Sequence, residues 1–130
     1  MRPETAISLA MLALYEHRQR DELGFREDVI AKLKTLRSNQ IAVSGIKLRP
    51  GIEGEYSDEV SDFIGRLAIA GYVVQESPIK LTPSGVRLIK QHLNENLDDS
   101  EVVRAAAVLA VPLDVIRQDT DAATEATSAT

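Results

Sequence analysis

The spacing of apolar residues along the chain predicts four amphipathic α-helices. In each of them apolar side chains recur every three or four positions, as on one face of a helix. We predict the first helix over residues 5–19, the second over 26–37, the third over 57–70 and the fourth over 83–97. The apolar stripe of the first helix is wide, which is typical of a helix buried on more than one side.

The residues at the ends of the third and fourth helices support these limits. Ser57 is a good N-cap, and the two acids that follow it suit the positive end of the helix dipole. Gly71 fits the left-handed conformation that often ends a helix. Thr82 caps the fourth helix, and Pro83 occupies the first helical position, where its missing N–H costs nothing.

The pattern changes after the third helix to two short alternating runs. The runs 72–75 and 79–82 flank a turn at 76–78, which predicts a small β-hairpin. Residues 39–56 contain three glycines and a proline, and we interpret them as a loop with one short strand around 45–49. A connection of this length is unusual in a compact domain and often carries function.

A fifth helix over residues 101–111 is apolar almost all round. Ser100 is its predicted cap, and Pro112 stops it. A helix without a polar face is buried, either against its own chain, here on the first helix, or against a partner. We favour a homodimer, because the first and fifth helices together are too apolar for one small core. The predicted dimerisation residues are Val102, Ala106, Leu109 and Leu113.

The domain organisation follows from these elements. Residues 1–97 form one domain, and residues 98–116 form the C-terminal apolar helix, used for packing or dimerisation. Residues 117–130 are rich in Thr, Ala and Asp, have nothing to bury, and are predicted to be a disordered tail.

Composition narrows the possible chemistry. Cysteine is absent, which excludes disulfides, thiol catalysis and cysteine-bound zinc. His17 and His92 lie far apart in the sequence, and neither has a companion at a metal-ligand spacing. We therefore predict no catalytic residues, no metal site and no cofactor. The apolar run 6–15 is too short to span a membrane and lacks a basic flank, so we interpret it as a buried helix of a cytoplasmic protein without a membrane partner.

The order of the elements resembles that of a winged helix-turn-helix domain. The residues that carry this resemblance are Leu67, Gly71-Tyr72-Val73 and Leu81-Thr82-Pro83-Ser84-Gly85. It implies a mainly α fold with a small β-hairpin wing, in which the third helix is the recognition helix. Residues 54–57 also resemble the Gly-Pro-Tyr-Ser segment of Panacea-type antitoxins and their winged-helix relatives, with Glu55 in place of proline.

The resemblance implies double-stranded DNA as a partner and transcription regulation as the function. The net charge of −5 is unfavourable for a polyanion, but residues 29–52 contain five basic residues and no acid. Arg66 on the third helix is the candidate reader of a guanine edge. The candidate phosphate contacts are Lys32, Lys34, Arg37, Lys47, Arg49 and Lys80.

Two alternatives remain open at this point. The cations can instead form a solvated face and pair with nearby acids, such as Glu53, Asp58 and Asp62. The second hypothesis for the function is a protein-interaction adaptor or antitoxin-like module on the same fold, without DNA binding. It is favoured by the acidic third helix, because carboxylates beside phosphates weaken affinity for a duplex.

Overall fold

The computed structural model describes residues 1–18, 22–24, 26–52, 54–75 and 78–117. Its elements, in chain order, are α1 (Pro3–Arg18), β1 (Glu22–Gly24), α2 (Arg26–Ser38), α3 (Asp58–Ile69), β2 (Val73–Val74), β3 (Ile79–Leu81), α4 (Pro83–Glu95) and α5 (Ser100–Val108). The predicted fold class, mainly α with a small β-hairpin wing, is confirmed.

Helix α1 lies at the centre of the core. Every residue from Ala6 to Leu14 is buried, and the helix contacts α2, α3, α4, α5 and β1. The apolar stripe of α1 is therefore wide because the helix is buried on several sides, as predicted. The other helices bury one face each, such as Val60, Ile64 and Leu67 on α3.

The predicted caps of α3 and α4 are present. The Ser57 hydroxyl accepts a hydrogen bond from the Val60 amide at 3.2 Å. The Thr82 hydroxyl accepts one from the Gly85 amide at 3.1 Å. Each bond satisfies an amide that the first turn of a helix leaves without a partner. The sequence therefore predicted the starts of α3 and α4 correctly.

The sheet has one strand more than the predicted hairpin. Strands β2 and β3 pair antiparallel with Val73 opposite Leu81, and β1 pairs with the other edge of β3, giving the order β1-β3-β2. The predicted hairpin is therefore present, and β1 extends it to a three-stranded sheet. Three residues are too few to show a strand period, which is why β1 escaped the sequence analysis.

Helix α5 packs on α1 and α2 of its own chain. Its N-cap is Asp99 rather than Ser100, because an Asp99 carboxylate oxygen accepts from the Glu101 amide at 2.9 Å. The helix ends at Val108, and a further helical turn follows at 113–117. Helix α5 thus shares one core with the earlier helices.

The residues predicted to form a dimer interface are not exposed. Val102, Ala106 and Leu109 are buried within the chain, and Leu113 is half-buried. A homodimer therefore needs another surface, and dimerisation itself stays a prediction. The predicted disordered tail lies almost entirely outside the described residues, which end at 117. Within the described part of the chain, no helix has the length and hydrophobicity needed to cross a membrane.

The connection between α2 and α3, residues 39–57, is packed rather than loose. Ile41, Val43 and Ile46 insert into the core. The expected strand around 45–49 is absent, and the described backbone instead forms one antiparallel bridge between Arg49 and Tyr56, with N–H to O distances of 2.8 and 2.9 Å. This bridge closes a small turn beside the N-terminus of α3.

Candidate nucleic-acid interface

The outer face of α3 carries more negative than positive charge. Asp58, Asp62, Arg66 and Ile69 are exposed at successive turns of the helix. The Arg66 guanidinium lies over the Phe63 ring, 5.8 Å from its centroid, which leaves its edge free to donate.

Two of the predicted phosphate contacts are ion-paired. The Lys34 ammonium lies 2.6 Å from a Glu55 carboxylate oxygen, and Arg49 Nε lies 3.7 Å from Asp58 Oδ2. All four side chains are well exposed, between 44% and 62%. The alternative that the basic residues pair with nearby acids is therefore observed for these two, although Glu55 was not among the acids named.

Lys47 contributes through its backbone. Its amide donates to a Glu59 carboxylate oxygen at 2.7 Å. This hydrogen bond, joined by the Glu59 amide and by the charges of Arg49 and Lys47, holds the pKa of Glu59 below its ordinary value. The Lys47 side chain itself is exposed.

Arg37 has a structural role. Its guanidinium donates to the carbonyls of Val43 and Ile46, and so ties the connection to the end of α2. Arg104 of α5 holds the same connection by donating to the Gln40 carbonyl at 2.9 Å. A guanidinium engaged by two carbonyls is poorly placed to reach a phosphate, so Arg37 is a weak candidate for DNA contact.

Lys32 and Lys80 are half-buried and have no ion pair with another described residue. Lys80 lies in the central strand of the sheet, opposite Val74 of β2 and Glu22 of β1. The seven predicted DNA contacts therefore do not form one strip. Lys32, Lys34 and Arg37 lie on α2, Lys47 and Arg49 in the connection before α3, Arg66 on the outer face of α3, and Lys80 in the sheet.

The structure adds a basic residue that the sequence analysis missed. Arg26, the first residue of α2, donates a hydrogen bond to the side-chain oxygen of Gln75, the residue that follows β2 in the wing. The Gln75 side chain also reaches α3, because a Cβ at Gly65 would lie 3.9 Å from its nitrogen. Arg26 and Gln75 thus meet beside Gly65 of α3, where α2, α3 and the wing converge. The sequence offered one signal for Arg26, namely that it is a basic residue at the predicted start of the second helix.

A groove of about 760 Å³ opens on the same face. Its walls include the buried side chains of Ile30, Val60 and Ile79, and it also takes in Tyr56 and the fully exposed Ile52. The groove therefore offers apolar as well as polar contacts, next to the Arg26–Gln75 hydrogen bond.

Each histidine ring lies within hydrogen-bond distance of one polar group elsewhere in the chain. His92 Nε2 lies 3.0 Å from the Thr5 hydroxyl, and His17 Nε2 lies 3.4 Å from the Ala110 carbonyl. Over the described ranges no group of three or more potential metal ligands comes together. Comparison of the chain with protein-family models, curated proteins and solved structures finds no match.

Proposed function

We propose that this chain is a winged-helix DNA-binding protein that regulates transcription in the cytoplasm. The observation that supports this best is the meeting of Arg26 and Gln75 beside Gly65 of α3. A guanidinium and an amide there lie beside α3 and the wing, on an exposed surface. Guanidinium groups bind phosphates and guanine edges, and an amide side chain matches adenine.

The carboxylates on α3 limit affinity without excluding this function. Asp58 and Asp62 repel phosphates, yet a carboxylate can also accept a hydrogen bond from the amino group of cytosine. Exposed ion pairs such as Lys34–Glu55 are worth about 0–1 kcal/mol, so they lower the affinity for phosphate by a limited amount. We therefore expect weak to moderate affinity and strong dependence on salt.

Fluorescence anisotropy with a labelled duplex tests the proposal. Each phosphate contact releases counterions, so the logarithm of affinity should fall linearly with the logarithm of salt concentration. Arg26→Ala and Arg66→Ala should each weaken binding about tenfold, and the double change Lys32→Ala with Lys34→Ala should flatten the salt slope. Arg117→Ala, an exposed arginine in the C-terminal helical turn, is the matched control and should bind as the wild type does.

The second candidate is a protein-interaction adaptor or antitoxin-like module. It is favoured by the exposure of four large apolar side chains, Ile52, Tyr56, Ile69 and Val74. This function predicts no salt-dependent duplex binding. It also predicts a stoichiometric complex with one protein partner, which Ile52→Asp disrupts while the melting temperature stays unchanged.

A further inference from the structure

We propose that Glu55 and Asp58, together called the acidic cover, compete with DNA phosphates for Lys34 and Arg49. This inference rests on the proposed DNA-binding function and concerns its regulation. In this form of regulation, two carboxylates of the chain neutralise two cations of its own DNA-binding surface. The affinity of the wild-type protein is then set below the value that its cations would support.

The geometry places one carboxylate on each cation. Glu55 reaches from the connection to Lys34 on α2, and Asp58 reaches from the first turn of α3 back to Arg49. The two acids stand only three positions apart, on either side of the Ser57 cap. Both pairs therefore lie at the N-terminus of the recognition helix, where a duplex would approach.

The ion pairs are open to exchange. The side chains of Lys34 and Glu55 are 53% and 44% exposed, and those of Arg49 and Asp58 are 54% and 62% exposed. Pairs in contact with water are held weakly and are screened by salt. A duplex has a high density of charge, so it can take over both cations once the carboxylates move or lose their charge.

The connection does not depend on the acidic cover for its shape. It is already held by the buried Ile41 and Ile46, by the guanidiniums of Arg37 and Arg104, and by the backbone bridge from Arg49 to Tyr56. Removal of a cover carboxylate should therefore free a cation and leave the fold intact. The carboxylates of the acidic cover can therefore be changed without loss of the contacts that hold the connection in place.

The experiment measures duplex affinity over a series of salt concentrations for Glu55→Gln, Asp58→Asn and the double variant. Each single change should tighten binding about two- to fivefold, and the double change about tenfold. Each freed cation that finds a phosphate should also steepen the salt slope by about 0.9. Melting curves check that all variants are folded.

Two controls separate release of a cation from a general loss of negative charge. Asp62→Asn removes a charge from the same face of α3, where that acid has no ion pair with another described residue. It should tighten binding but leave the slope almost unchanged. Glu95→Gln, on the exposed side of α4, should change neither quantity. Lys34→Ala in the Glu55→Gln background should return the slope to the wild-type value.

The outcomes distinguish the cover from the function on which it rests. If the wild type binds duplex and the double variant binds no more tightly, the acidic cover is refuted and DNA binding stands. If only the double variant binds measurably, both are supported. If folded wild type and folded double variant both fail to bind at low salt, DNA binding is refuted and the cover with it.

Discussion

The change Gly85→Ala tests how closely α4 approaches the wing. Gly85 is the third residue of α4, and a Cβ there would lie 2.0 Å from the Tyr72 carbonyl oxygen and 2.9 Å from its carbon. The same oxygen accepts hydrogen bonds from the Thr82 amide and hydroxyl, both at 3.1 Å. An added methyl group would therefore collide with the atom that joins the wing to the start of α4.

The size of the effect follows from these distances. The Cβ must retreat by at least about 1 Å to reach even a crowded separation of 3.0 Å from the oxygen. Overpacking of this kind costs about 1–3 kcal/mol, and stretching two hydrogen bonds adds about 1–2 kcal/mol. Alanine regains about 1 kcal/mol through its helix propensity. We expect a net loss of about 2–3 kcal/mol in the free energy of unfolding, or about 10 °C in Tm.

Urea denaturation followed by circular dichroism measures this loss. Gly65→Ala is the matched control, because Gly65 also lies within a helix but has only the Gln75 amide nitrogen near its Cβ position, at 3.9 Å. There the helix propensity should dominate and stabilise the protein by up to about 1 kcal/mol. If Gly85→Ala is as stable as Gly65→Ala, the close packing of α4 on the wing is wrong.

Three further predictions concern the core, a cap and a carboxylate. Leu109→Asp should destabilise the single chain by more than about 3 kcal/mol, because this side chain is 2% exposed. If the variant stays folded and sedimentation shows only that an oligomer has dissociated, the packing of α5 is wrong. Ser57→Ala should cost about 1 kcal/mol in urea denaturation through loss of the α3 cap, whereas Ser84→Ala, outside that cap, should cost less. The pKa of Glu59 is lowered in the folded state, so its stabilisation is present above its ordinary value of 4.5 and is lost as the pH falls through the lowered pKa. Glu59→Gln should therefore flatten the dependence of stability on pH below about 4.5 in thermal melts, and an unchanged profile would show that the Lys47 hydrogen bond is not formed in solution.

Much of the site on α3 was predictable from local sequence. The apolar stripe of this helix and its Ser57 cap determine which residues face outward, and Asp58, Asp62, Arg66 and Ile69 are exposed. The short runs around residues 72–82 likewise determine the wing. Helical period, caps and turns depend on residues only a few positions apart, so they can be predicted from local sequence.

What the sequence left open depends on residues far apart in the chain. Lys34 meets Glu55 across 21 positions, and Arg26 meets Gln75 across 49, so no local pattern shows which cations are neutralised and which stand at the wing. The apolar character of α5 showed that it is buried, but only the path of the chain decided that α1 and α2 cover it. The hydrophobic effect is non-directional, so the free energy gained by burying apolar surface does not specify which apolar surface covers it. Only the tertiary structure shows which partner does so.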